Sequence, residues 1–337
     1  MTSSNITIGI DVGGTKILGV VLLIKRTTRG DSNPLSTGSF SLEIIQELRE
    51  KTPNDGLELI DSLFKVVSEL KQALSIESPV PVGVGVPGLV DHEGSLRFSP
   101  NLTAIRSLPV AKLLAEKLAQ PVFVDNDATC ALRAEYLIGS GSNYKDVLLV
   151  TLGTGIGGGI VSGGEIVTGA YGFAGEIGHM VVDPFGPICP CGRRGCWERY
   201  ASGSGLGRLG REAGLAGVAK TVVELAGGDP ESIKGEHVTA AALAGDLEAL
   251  GIVKQFGWWI ALGLANLASA LDPAVIVMGG GVVDAKGVWL DASKEAFSQM
   301  LEGLQYRPEV PIEPAKYGSF SGAVGAALYA FERIEAL

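Results

Sequence analysis

Shifted along itself by 140 residues, this 337-residue chain meets its own opening again: Gly13 falls on Gly153, Gly19 on Gly159, and Ile8 and Ile10 on Leu148 and Val150. In both places apolar residues read as a strand, a glycine-rich turn follows, and a second apolar strand leaves it. Each copy continues into helices and further strands. The pattern therefore predicts a duplicated α/β unit, with two related domains facing each other across a cleft where ligand sites tend to form. The length suits two domains of ordinary size.

Along the chain, Ile6, Ile8 and Ile10 mark a strand that ends on Asp11, and Ile17 to Leu23 the strand after the turn. Residues 25–40 are polar and turn-rich and read as a long hairpin loop, its Lys25, Arg26 and Arg29 solvated. Leu57, Ile60, Leu63, Phe64, Val67 and Leu70 are spaced for a helix over about 55–75. A strand from Pro81 to Val86, a Pro87-Gly88 turn, a helix over 109–119 and a strand from Pro121 to Val124 follow. Residues 215–245 read only as helical, and 250–271 as a helix serving core or a subunit contact.

Composition narrows the class. Hydrophobic residues make up 46% and charged residues 19%, which excludes a disordered chain. The formal charge is −10 and Lys and Arg form no dense run, which argues against a nucleic-acid surface. Met1 to Asn5 are polar and show no signal-peptide pattern, and the apolar stretch Ile260–Leu271 is too short to span a membrane. A cytoplasmic protein with no membrane partner is the expectation.

Four segments carry chemistry. In the first, Asp11 ends a strand, and Gly13, Gly14, Thr15 and Lys16 form a turn able to cradle phosphate oxygens, the carboxylate holding a hydrated Mg²⁺. An ordinary hairpin with a polar edge is the alternative. The second, Gly153 to Gly159 with Thr154 and Gly155, meets the dinucleotide pattern G-x-G-x-x-G but runs on into a strand instead of a helix, so a second phosphate loop explains it better. The third, Asp125-Asn126-Asp127, precedes a helical run and reads either as a cap or as a general base. In the fourth, Glu176-Ile-Gly-His179 leads to Cys189, Cys191 and Cys196, followed by Glu198. One imidazole and three thiolates suit a closed tetrahedral Zn²⁺ site with no open position for water, so the zinc is structural. The second ring nitrogen of His179 stays available to a substrate or an acceptor. Cys130, on an apolar helix face, reads as core.

Together these segments resemble the ROK family of sugar kinases and repressors, from Asp11 to the glycine-rich stretch Gly322–Gly325. The most specific elements are Glu176-x-Gly-His179 and Cys189-x-Cys191-Gly-x-x-Gly-Cys196-x-Glu198. The resemblance implies an α/β, actin-like (ribonuclease H-like) duplicated two-domain fold with an interdomain cleft. A small domain would cover residues 1–124, completed by a C-terminal helix over about 322–337, and a large domain 125–321 with the zinc loop. It implies phosphorylation of a hexose at its 6-hydroxyl by ATP with Mg²⁺, Asp127 acting as general base. Gly88, Asn101, Asn126, Asp127, Glu176, His179 and Glu198 would hold the sugar. Asp11, Gly13, Gly14, Thr15, Lys16, Thr154 and Gly155 would serve the ATP phosphates and metal, and Gly279, Gly280 and Gly281 the adenosine side. His179, Cys189, Cys191 and Cys196 would hold Zn²⁺.

Glucose is the favoured sugar, with an N-acylmannosamine, fructose or mannose as alternatives and polyphosphate as an alternative donor. A homodimer or homotetramer is the assembly the family suggests. Repressors of the family need a helix-turn-helix ahead of the kinase fold, and only ten residues precede Asp11.

Overall fold

The structure, a computed structural model, describes residues 6–26, 40–100, 102, 105–281, 288–303 and 305–335. The chain begins as an antiparallel meander of β1 (Ile6–Val12), β2 (Lys16–Arg26) and β3 (Phe40–Lys51). β2 is apolar on both sides because each side meets its own core. Ile17, Val21 and Leu23 join one cluster, while Leu18, Val20, Leu22 and Ile24 join another. β2 reaches Arg26 and β3 begins at Phe40, so Lys25, Arg26 and Phe40, read from composition as loop, belong to strands. Residues 27–39, Arg29 among them, lie outside the described residues, whereas Lys25 pairs with Glu43 at 2.9 Å across the strands.

Helix α1 (Gly56–Ala73) starts where Asp55 accepts the N–H groups of Leu57 and Glu58, satisfying donors that have no partner inside the helix. Next come β4 (Val82–Val86), which pairs parallel to β1, and a small antiparallel sheet of β5 (Leu89–Val90), β6 (Leu96–Phe98) and β7 (Arg106–Leu108). Helix α2 (Val110–Leu118), β8 (Val122–Asn126), parallel to β4, and helix α3 (Asp127–Ile138) follow. The first large sheet thus runs β3-β2-β1-β4-β8.

The second half repeats this order. Strands β9 (Val147–Leu152), β10 (Ile156–Ser162) and β11 (Glu165–Ile166) are followed by helices α4 (Glu198–Ala201), α5 (Gly203–Leu215), α6 (Lys220–Leu225), α7 (Gly235–Leu243) and α8 (Leu247–Leu271). Then come β12 (Val275–Gly279), α9 (Val288–Met300), β13 (Ile312–Pro314) and α10 (Ser321–Glu335). This sheet runs β11-β10-β9-β12-β13. Numbered in chain order within each five-stranded sheet, both sheets run third, second, first, fourth, fifth, the small β5-β6-β7 sheet being extra to the first half. The expected duplication is therefore present as a repeated strand order.

By packing, the chain divides into two compact units, one of Met1–Leu149, Gly159–Gly175 and Ala315–Leu337, the other of Val150–Gly158 and Glu176–Pro314. In the first unit, α10 lies almost backbone-to-backbone on the sheet. A Cβ on Gly9 would come within 1.9 Å of the Ala323 carbonyl, and one on Gly83 within 1.8 Å of that of Ala326. The glycines of β1 and β4 and the small residues of α10 are what allow that approach. In the second unit, α8 is buried along Ile252, Phe256, Ile260 and Leu264. Its Gly263 makes room for the fully buried Trp197 ring, whose Nε1 donates to the Trp259 carbonyl at 2.7 Å. Among the described residues no helix is long and apolar enough to cross a membrane.

Candidate functional site

Within the first unit, the turn after β1 is a tight hairpin closed by the Gly13 N–H donating to the Lys16 carbonyl at 2.9 Å. Thr52, just past β3, braces it: its hydroxyl donates to the Gly13 carbonyl at 2.8 Å and its N–H to that of Thr15 at 3.2 Å. Gly14, Thr15 and Lys16 are exposed at the tip. Asp11 sits behind the turn against Gly322, where a Cβ would lie 2.6 Å from its carboxyl carbon. Burial and the nearby charge of Asp127 raise the Asp11 carboxyl to about 7, and burial raises that of Asp127 to about 6.

Asp127 is the first residue of α3, but the cap is Asn126, whose Oδ1 accepts the N–H groups of Ala128 and Thr129 at 2.9 and 3.0 Å. The Asn126 amide also donates to the Gly88 carbonyl at 3.0 Å. Gly88 has φ of +112°, and a Cβ there would come within 2.2 Å of the Phe98 carbonyl, so only glycine suits this turn. Most of the hydrogen-bonding capacity of Asn126 is thus spent on fixing Asp127 and the Gly88 turn. Behind them, Asp125 accepts the Asn126 N–H at 2.8 Å and lies 3.8 Å from Arg133, which also pairs with Glu332. Cys130 is buried in the core as its helix face suggests, while Asn101 lies outside the described residues.

The second unit holds the other turn. The Gly153 N–H donates to the Gly155 carbonyl at 3.0 Å, and the Gly153 and Thr154 carbonyls accept from the Gly203 N–H and the Ser204 hydroxyl, each at 2.8 Å. With these three carbonyls occupied, the turn has N–H groups left to offer, the donors a phosphate needs. Gly280, in the Gly279-Gly280-Gly281 segment that ends β12, has φ of +90° and packs so close that a Cβ would lie 2.4 Å from the Leu152 carbonyl. The two glycine segments of this unit therefore adjoin.

Glu176 leads into a short 3₁₀ turn over Ile177–His179. The His179 Nε2 lies 3.8 Å from a Glu176 carboxylate oxygen, while its Nδ1 faces the Cys189 sulfur at 3.7 Å. Cys191 and Cys196 lie sulfur-to-sulfur at 3.6 Å, and the ligand atoms of all four residues are within 4.8 Å of one another. A tetrahedral Zn²⁺ with sulfur ligands sets neighbouring sulfurs about 3.8 Å apart, so the set fits that ion. Burial and the neighbouring thiols push Cys196 up to about 12, a crowding that a cation relieves. Burial lowers the His179 imidazole, keeping it in the neutral form a metal binds. Glu198 begins α4, and its Oε2 accepts the Ile156 N–H at 3.0 Å.

Of the residues singled out by sequence, Asp11, Gly13–Lys16, Gly88, Asn126 and Asp127 fall in the first unit. Thr154, Gly155, Gly279–Gly281, Glu176, His179, Glu198 and the three clustered cysteines fall in the second. Sequence reading passed over Thr52 and Ser204, which brace the two turns. Ser204 sits in a Ser-Gly-Ser-Gly run whose Ser202 caps α5, a signal that marks a helix start without revealing its neighbour.

A family model described as the ROK family matches residues 7–333. A glucokinase of Streptomyces coelicolor is 35% identical over 96% of this chain and 96% of its own length. An N-acetyl-D-glucosamine kinase of Mannheimia succiniciproducens is 32% identical over 95% of this chain and 97% of its own. Among solved structures, a ROK family glucokinase from Streptomyces griseus in complex with glucose and AMPPNP is 34% identical, with a TM-score of 0.82 over 96% of this chain and 98% of that one.

Proposed function

This chain belongs to the ROK family, and from that premise we propose that it is an ATP-dependent hexose kinase that converts glucose to glucose 6-phosphate. The observation that carries the reading is the likeness, over nearly the whole of both chains, to a glucokinase solved with glucose and an ATP analogue.

Asp127 is the general base. Burial leaves its carboxyl at about 6, ionised at neutral pH yet more basic than an exposed aspartate, which suits it to accept the proton of the sugar 6-hydroxyl. Asn126 fixes its direction through the cap and the Gly88 carbonyl. Asn126, Gly88 and Asn101, with Glu176, His179 and Glu198, hold the sugar hydroxyls. Buried polar groups matched to each hydroxyl reject a sugar that lacks one, because their own hydrogen bonds would go unmade. The Gly13–Lys16 and Gly153–Gly155 turns present N–H groups, a hydroxyl and an ammonium to the phosphates, and Gly279–Gly281 faces the adenosine. Phosphoryl transfer depends on such positioning together with charge neutralisation.

Asp11, raised to about 7 by burial and Asp127, gains from a nearby divalent cation, so it fits the Mg²⁺ that accompanies ATP. When bound, that ion neutralises charge on the phosphate oxygens. His179, through Nδ1, and Cys189, Cys191 and Cys196 hold a structural Zn²⁺ that keeps the loop between Glu176 and Glu198 in shape.

The test is an ADP-release assay with MgATP against glucose, N-acetylglucosamine, N-acetylmannosamine, fructose and mannose, with a sugar-free control. Turnover strongest with glucose is the expected outcome. Preference for an acylated amino sugar would keep the kinase and replace its substrate, and no turnover with any sugar would overturn the reading.

A further inference from the structure

Glu198 is read above as a sugar ligand, yet its carboxylate is already at work elsewhere. Its Oε2 accepts the Ile156 N–H at 3.0 Å and lies where a Cβ on Gly155 would come within 2.2 Å. Any side chain at position 155 would have to displace this carboxylate from the turn. The residues just after Glu198 hold the same turn, the Gly203 N–H on the Gly153 carbonyl and the Ser204 hydroxyl on that of Thr154, both at 2.8 Å. Between Gly153 and Ile156 the backbone is thus gripped at three points by one segment, Glu198 to Ser204.

That segment is itself anchored. The Ser202 hydroxyl donates to the Glu198 carbonyl at 2.7 Å, and Trp197 is fully buried against Gly263 with its Nε1 bonded to the Trp259 carbonyl. The sugar-side turn Ile177–His179 abuts the same place from another side, since a Cβ on Gly178 would lie 2.3 Å from the Ile156 carbonyl. Ile156 is thus met from two sides, by the Glu198 carboxylate at its N–H and by the close approach of Gly178 at its carbonyl.

We infer that Glu198 is a positioning residue for the nucleotide as well as a ligand for the sugar: its carboxylate sets the shape of the Gly153–Gly155 phosphate turn and so couples the two substrates. The inference rests on the kinase reading above. An anionic acceptor bonded to Ile156 fixes the turn with its N–H groups free for phosphate, and a sugar hydroxyl donating to the same carboxylate shares the charge that does the fixing. Coupling of this kind is reciprocal, so each substrate alters the affinity of the other by the same factor.

The decisive measurement is calorimetric binding of MgAMPPNP in the absence of sugar, where a residue serving sugar alone would have no effect. Glu198→Ala is expected to weaken nucleotide binding about tenfold, Glu198→Gln, which keeps an acceptor oxygen, to stay within about threefold of the parent, and Ser204→Ala to lose about threefold. Glucose binding without nucleotide, measured in parallel, should fall in both Glu198 variants and be unchanged in Ser204→Ala. Should Glu198→Ala fail to fold, Glu198→Asp, whose carboxylate is drawn back by one methylene, takes its place with the same expected loss. Nucleotide affinity equal to the parent's in Glu198→Ala or Glu198→Asp, with glucose binding lost, would overturn the inference and leave the kinase reading standing. A parent protein that binds no nucleotide would instead overturn the kinase reading, and this inference with it.

Discussion

At the scale of single residues, Asp127 is governed by burial. A carboxyl held at about 6 in the folded protein must be ionised to take a proton, so kcat/KM is expected to fall about tenfold per unit as the pH drops below about 6. Asp127→Asn should abolish turnover while glucose binding, followed by calorimetry, stays close to the parent's. Retained turnover would remove the general-base role. Stability carries the same signature. A carboxyl whose folded-state pKa lies above its usual 3.8 contributes stability that is complete below about pH 4 and is lost as the pH rises through about 6. The ligand-free Asp127→Asn protein lacks that loss, so its Tm relative to the parent should be higher at pH 7.5 than at pH 4. Among the thiols, Cys191→Ser removes one of four ligands, and bound zinc, read by metal analysis, should drop from about one per chain toward zero. Unchanged zinc content would reject the site.

At the scale of elements, close approach of backbones decides more than side-chain volume. β4 reads Val-Gly-Val-Gly-Val, with its valines in the core and Gly83 beneath α10. Gly83→Ala should therefore cost about 1–3 kcal/mol of unfolding free energy, read from the denaturant midpoint, because the new methyl meets the Ala326 carbonyl and not a side chain that can turn away. A change under about 0.5 kcal/mol would mean that α10 shifts freely on its sheet. Elements with strong periodicity were legible from sequence. The helices expected over 55–75, 109–119 and 250–271 appear as Gly56–Ala73, Val110–Leu118 and Leu247–Leu271. β3 was not legible, because SLEIIQELRE lacks the alternation of a strand, and the register against β2 shifts where Val21 faces Gln46 and Leu22 faces Ile44. The β5-β6-β7 sheet escaped for another reason: its strands span only two or three residues, and Asp91, which accepts from the Ser95 N–H at 2.8 Å and from Arg97, holds them together.

At the scale of the whole molecule, the last stretch of chain completes the first unit. The fully buried carboxylate of Glu135 ties it down, accepting the N–H groups of Lys316 and Tyr317 at 2.9 Å, the Ser321 hydroxyl at 2.8 Å and the Ser140 N–H at 3.1 Å. Glu135→Ala takes the acceptor from the Lys316 and Tyr317 N–H groups, while the Ser321 hydroxyl keeps the Gly318 carbonyl, and should cost about 2–3 kcal/mol, with Glu135→Gln intermediate because it keeps one acceptor oxygen. A midpoint for Glu135→Ala within about 1 kcal/mol of the parent would show that water replaces the carboxylate. What the sequence determined by itself was whatever local spacing encodes: the repeated strand–turn–strand unit, the four-ligand set of His179, Cys189, Cys191 and Cys196, and the carboxylates and glycines at strand ends. These follow from neighbours in the chain, where periodicity and ligand spacing act directly. What only the tertiary structure decided was which distant group completes each of them: Thr52 under the first turn, Glu198 and Ser204 on the second, Gly322 behind Asp11, Asn126 as the cap in place of Asp127. Those partners are chosen by packing between segments far apart in sequence, and no local pattern records which backbone donor a folded chain will bring to a given carboxylate.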